Sequence, residues 1–110
     1  MPKRFDVELT QGAETDLETI YENVAANRDF EEAEALLDAM LEKVKTLESF
    51  PSRGAIPREL DGLGIREFRQ LLLTPYRLIY RVVGDTVYIV LIADGRRDMQ
   101  SLLETRLLSR

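Results

Sequence analysis

The sequence predicts an α+β fold: an N-terminal strand, a helical hairpin, a three-stranded antiparallel meander and a C-terminal helix, in one domain of 110 residues. Three observations predict it. A short stretch of alternating apolar and acidic residues opens the chain. Two amphipathic segments of helical period follow. Three apolar runs separated by two-residue turns come next. That order packs as a layered sandwich, with the helical hairpin on one face of a mainly antiparallel sheet. A chain this long buries roughly 60–70% of its unfolded surface, so its core needs no metal or disulfide.

The elements follow in order. Phe5, Val7 and Leu9 alternate with Asp6 and Glu8, a half-buried strand. Thr10 is placed to cap a first helix, with Glu14, Asp16 and Glu18 near its positive end and Ala13, Leu17, Ile20 and Val24 on one face. Asp29 and Glu32 have capping-box spacing, which starts a second helix near Phe30. Its apolar stripe is Ala33, Leu37, Met40, Val44 and Leu47, and Phe50-Pro51 stops it. Residues 51–64, with two prolines and three glycines, read as one ordered loop. Strands are expected near 65–73, 76–83 and 86–93, with turns at Thr74-Pro75 and Gly84-Asp85. The run from Val87 to Ala93 is apolar at nearly every position, as in a central strand covered on both faces. Asp98 can cap a last helix that turns Met99, Leu102, Leu103 and Leu107 inward.

Composition excludes several chemistries. The chain has no cysteine, histidine or tryptophan, so thiol nucleophiles, imidazole acid–base catalysis and thiolate or imidazole metal sites are ruled out. No metal or other cofactor is expected. Neither a phosphate-binding glycine loop nor a dinucleotide fingerprint is present. No apolar run has spanning length and no export signal is recognisable, so the expected location is the cytoplasm, away from membranes.

Charge is divided unevenly along the chain. Residues 1–52 carry five basic and thirteen acidic groups, a net of −8, while residues 53–110 carry ten arginines against seven acids, a net of +3. Within the strands, alternation places Arg77 and Arg81 on one face and Tyr76, Leu78 and Tyr80 on the other, and Arg69 is expected to join Arg77 across the hairpin. Arg69, Arg77, Arg81, Arg96 and Arg97 then form an array able to hold phosphates or an acidic peptide. The spacing does not choose between those ligands. Asp94 and Asp98 are expected to cap the last helix and pair with Arg96 and Arg97 rather than to perform acid–base chemistry.

A family resemblance enters through particular residues: Phe5, Val7, Leu9 and Thr10; Ala13, Asp16-Leu17 and Ile20-Tyr21; Phe50-Pro51 and Arg53-Gly54; Phe68-Arg69-Gln70 and Leu72; Pro75-Tyr76-Arg77-Leu78-Ile79-Tyr80-Arg81; and Gly95-Arg96-Arg97-Asp98. This pattern, over nearly the whole chain, resembles the RelE/ParE superfamily of toxins from type II toxin–antitoxin modules. The resemblance implies growth arrest and neutralisation by a cognate antitoxin. It also implies one of two activities: inhibition of DNA gyrase, as in ParE-like members, or ribosome-dependent cleavage of messenger RNA, as in RelE-like members. The RNA-cutting pattern has lysines where this chain carries Phe68 and Gln70, and a tyrosine near the last helix where it carries Met99 and Leu102. Arg77 matches the pattern's first arginine, and Arg96 or Arg97 the second. A guanidinium is a poor general base at neutral pH, so the phosphate-binding groups remain and the proton-transfer groups do not. The ParE-like, non-catalytic activity is therefore the favoured expectation. Arg69, Arg77, Arg81, Arg96, Arg97 and Arg106 are the candidate contacts to target or antitoxin. A homodimer fits this picture, and direct DNA binding is not expected without the antitoxin.

Overall fold

The computed structural model describes residues 3–108. In chain order the elements are β1 (Asp6–Leu9), α1 (Gln11–Asn27), α2 (Phe30–Lys45), α3 (Arg58–Asp61), β2 (Phe68–Leu73), β3 (Tyr76–Val83), β4 (Thr86–Asp94) and α4 (Met99–Leu103). A wider π turn over Glu104–Leu108 continues α4. The helix starts obey the expected chemistry. Thr10 Oγ1 accepts from the Ala13 amide, Asp29 Oδ1 from Glu32, and Asp98 Oδ1 from Ser101. Each satisfies one of the free N–H groups of a first turn.

The strands form one sheet in the order β1-β4-β3-β2. The meander β2-β3-β4 is antiparallel, and β1 runs parallel to β4, Asp6 opposite Thr86 through Leu9 opposite Ile89. Gly84 takes φ 60° in the β3–β4 turn, a conformation open to glycine at no steric cost. The hairpin of α1 and α2 covers one face over Met40, Val44, Leu47, Leu78, Tyr80, Val87 and Ile89. The other face is covered by α3 and α4 over Phe68, Ile79, Leu91, Ala93, Met99 and Leu103. A bulge explains how the apolar run in β4 serves both layers. Ile79 pairs with Leu91 but Tyr80 with Ile89, so Val90 is an extra residue that reverses the alternation midway along the strand.

Two elements differ from expectation. The loop after α2 contains α3, a helix of four residues, too short to leave a periodic signal; Leu60, fully buried, anchors it against the α4 side of the sheet. The strand expected from residue 65 begins at Phe68, because the Ile65 amide is drawn back to the Leu60 carbonyl at the end of α3.

Leu91 is 1% exposed in the layer under α4. Leu91→Ala should therefore cost about 2–5 kcal/mol in urea or thermal denaturation, the range for a large-to-small change in a close-packed core.

Candidate functional site

Arginines from four parts of the chain reach the surface, and the structure sorts them. Arg77, on the α4 face of β3, is the most enclosed. Its Nη1 and Nη2 donate to the two carboxylate oxygens of Glu59 on α3, each at 2.8 Å, and its Nε donates to Gln70 Oε1 at 2.8 Å. This is a fork-on-fork pair, the strongest geometry available to a guanidinium. The pair is only partly solvated, with 14% of the Arg77 side chain and 23% of Glu59 exposed. Arg58, Glu59, Gln70, Arg77 and Gln100 line a cleft of about 460 Å³ there. Gly95 makes room for it: a Cβ at that position would lie 2.8 Å from the Arg77 stem. Hydrogen bonds from Arg77 hold the Glu59 carboxyl down to about 2, against an ordinary 4.5.

Arg81 shares that face, one strand pair further along. Its guanidinium lies 5.5 Å from the centre of the Phe68 ring, and Nη2 is 3.6 Å from Glu67. Arg96 and Arg97 sit on the turn after β4, at the mouth of a second cleft of about 420 Å³ between α1 and the end of the sheet. Thr19, Asn23 and Asn27 form one wall of this cleft, and Ile20, Val24, Tyr76 and Ile92 contribute apolar surface. Asp94 pairs with Arg96 at 2.6 Å, and the hydrogen bonds from Arg96 lower its carboxyl to about 2. Arg97 is exposed, and its guanidinium makes no hydrogen bond or ion pair among the described residues; only its amide bonds, to the Asp94 carbonyl. The expected pairing of the turn acids with both arginines thus holds for Arg96 alone, while Asp98 is committed to the helix cap.

The remaining two arginines have structural work. Arg69 does not join Arg77. The register places Arg69 opposite Tyr80 and Leu72 opposite Arg77, so the two arginines lie on opposite faces. Arg69 Nη1 donates to the Gly54 carbonyl at 2.8 Å while the Gly54 amide donates to Tyr80 Oη at 3.0 Å, and together they clamp the loop after α2 onto the sheet. Burial raises the Tyr80 phenol above its ordinary value, keeping it neutral for that role. A Cβ on Gly54 would lie 2.4 Å from the Gln70 carbonyl oxygen, which is why glycine stands there. Arg106 binds both oxygens of Asp16 and the Val90 carbonyl, tying the C-terminal turn to α1. The candidate arginines therefore fall into separate features: a closed pair at Arg77, a solvent-facing Arg81 on β3, Arg96 and Arg97 on the turn at the other end of that strand, and two internal clamps.

Sequence reasoning missed Glu59, Gln100 and the role of Asp16. Glu59 lies in a glycine- and proline-rich loop with no periodicity, and Asp16 reads as one of several acids favoured in a first helical turn. No local signal marks either. Among the described residues no helix is long and apolar enough to cross a membrane.

A single sheet between a helical hairpin and a short C-terminal helix defines a small α+β protein of the RelE/ParE-like type. Residues 7–99 match the family model of the ParE toxin of the type II toxin–antitoxin system parDE, and the chain belongs to that family. Among solved structures, the chromosomal ParDE system from P. aeruginosa is similar at 26% identity and a TM-score of 0.70, covering 83% of this chain and 96% of the other. The toxin–antitoxin complex RelBE2 from Mycobacterium tuberculosis shares the fold at 21% identity and a TM-score of 0.58, covering 86% and 94%. No curated protein sequence matches the chain.

The Arg77–Glu59 pair has a consequence for acid stability. The folded value of Glu59 lies below its unfolded one, so its contribution is complete above about pH 4.5 and is lost as pH falls toward 2. Glu59→Gln should lower stability at neutral pH, and urea midpoints of the two proteins should converge as pH falls through that window. A gap that stays constant would mean that ionisation of Glu59 adds nothing to folding.

Proposed function

We infer that this toxin arrests growth by inhibiting DNA gyrase, without chemistry of its own, and that a cognate antitoxin neutralises it. One observation carries the choice between the two activities of the superfamily. Arg77, the arginine that the RNA-cutting pattern would aim at a phosphate, is held on both sides by Glu59 and Gln70. Among the described residues, no lysine, histidine or tyrosine lines its cleft. The one carboxylate present is a very weak base, with its carboxyl near 2. General acid–base assistance is worth roughly 10²–10⁴-fold in rate, and this cleft has no group placed or tuned to supply it. The family assignment and the likeness to a ParDE system support the same reading.

Arg81, Arg96 and Arg97 are the contacts left open to a partner. Charged groups of this kind speed association and set register, while apolar neighbours supply most of the affinity. Ile20, Val24 and Tyr76 beside Arg97 offer such a surface to an acidic, partly apolar antitoxin segment. Homodimer formation is compatible with this arrangement and requires none of it.

The purified protein should inhibit gyrase supercoiling and leave ribosome-bound message intact; codon-periodic cleavage without an effect on supercoiling would reverse the assignment. Arg81→Glu with Arg97→Glu should slow association with the antitoxin several-fold, and the loss should shrink as salt rises. An unchanged rate would place the antitoxin elsewhere, over the acidic outer face of α1 and α2.

A further inference from the structure

We propose that the cleft of Arg58, Gln70, Arg77 and Gln100 is an oxyanion site kept shut by its own chain, and that Glu59 is the residue that excludes nucleic-acid phosphates from it. The geometry is that of an occupied ligand site. Arg77 presents two parallel N–H groups, and both meet acceptors at 2.8 Å on a planar carboxylate. A phosphate takes the same fork in the same way. Gln70 orients the guanidinium through Nε, and Gln100 Nε2 reaches the Glu59 carbonyl at 3.4 Å from the opposite wall. Arg58 lines the mouth and forms no ion pair among the described residues, so positive charge remains at the entrance.

The occupant is supplied in cis. Glu59 stands beside Leu60, which is fully buried and holds α3 against the sheet. A tethered group competes at an effective concentration on the order of millimolar or above, and a preorganised one competes better still. An incoming phosphate must break both hydrogen bonds and then share a part-buried cleft with an ionised carboxylate, where like charges repel strongly. A carboxylate thus selects against phosphodiesters at the arginine that the superfamily's RNA-cutting pattern would use. The proposal extends the non-catalytic reading above and rests on it for its biological sense. Its test involves neither gyrase nor antitoxin, so the two can fail separately.

The test is a titration of the isolated protein with inorganic phosphate at constant ionic strength, following the Arg77 Nε–Hε resonance by NMR. A parallel anisotropy titration uses a labelled single-stranded oligouridine. The wild-type resonance should not move saturably. Glu59→Gln should show saturable binding of phosphate at least about tenfold tighter than wild type, with tighter oligouridine binding in step. Adding Arg77→Gln, read by the anisotropy titration, should abolish the gain in oligouridine binding. Equal binding by wild type and Glu59→Gln, a folded Glu59→Gln that gains nothing, or a gain that survives Arg77→Gln would each overturn the proposal. If Glu59→Gln fails to fold, the wild-type titration still decides: a saturable phosphate shift at Arg77 refutes a closed site, and its absence supports one.

Discussion

One carboxylate holds the layers of this molecule in register. β1 is four residues long and pairs with β4 only as far as Ile89, so the rest of the β4 edge has no strand partner on that side. Side chains take the place of the missing strand. Asp16 Oδ2 accepts from the Ile92 amide at 3.0 Å, and Arg106 Nη1 donates to the Val90 carbonyl at 3.2 Å. The two then bind each other, Arg106 Nη1 and Nη2 to the Asp16 oxygens at 3.0 and 2.9 Å. Backbone groups at a half-covered edge need partners, and here a single ion pair supplies them from α1 and from the C-terminal turn at once. It also lies beside the Val90 bulge, which lets one strand serve two cores. Losing either side chain would leave both a charge and a backbone group unmatched, a larger cost than losing a surface pair.

The same economy governs the rest of the charge. The second half of the chain carries a net +3 by sequence, yet Arg77 and Arg106 are neutralised internally and Arg69 is spent on a loop carbonyl. Of the six candidate arginines, the three left with their charge toward solvent are Arg81 on the sheet and Arg96 and Arg97 on the turn. Arg96 is 80% exposed but tied to Asp94, while the Arg97 head group carries no ion pair among the described residues. Recognition strength therefore depends on where the acids of the chain sit as much as on where its arginines sit.

Much of the fold was legible because its signals are local. Thr10, Asp29 and Asp98 cap the helices they precede, and the stripes of α1 and α2 face the sheet, because caps and periodicity act over a few residues. The separation of Arg69 from Arg77 was also legible: a two-residue turn at Thr74-Pro75 already sets residue 69 opposite residue 80. Other features had no local trace. The Val90 bulge lies in a run with no glycine to mark it. Glu59 meets Arg77 only because buried Leu60 carries a four-residue helix across the sheet, and Asp16 meets Ile92 and Arg106 only once the chain has closed. Sites assembled from such distant pieces depend on tertiary packing, which residue patterns do not encode one segment at a time.

The parallel pairing of β1 with β4 also imposes an order in time. Strand β1 finds its partner only in residues 86–89, and the clasp at Asp16 waits for residue 106. Contacts so far apart in sequence form late and slowly. At synthesis rates of roughly 5–20 residues per second, the completed hairpin of α1 and α2 waits on the order of 2–10 s before β4 exists to cover its inner face. During that interval the nascent chain exposes the apolar helical surface that Val87, Ile89 and Ile92 later cover. The turn that carries Arg96 and Arg97 takes its place only once β4 has paired with β3 and the Gly95 amide has reached the Pro75 carbonyl.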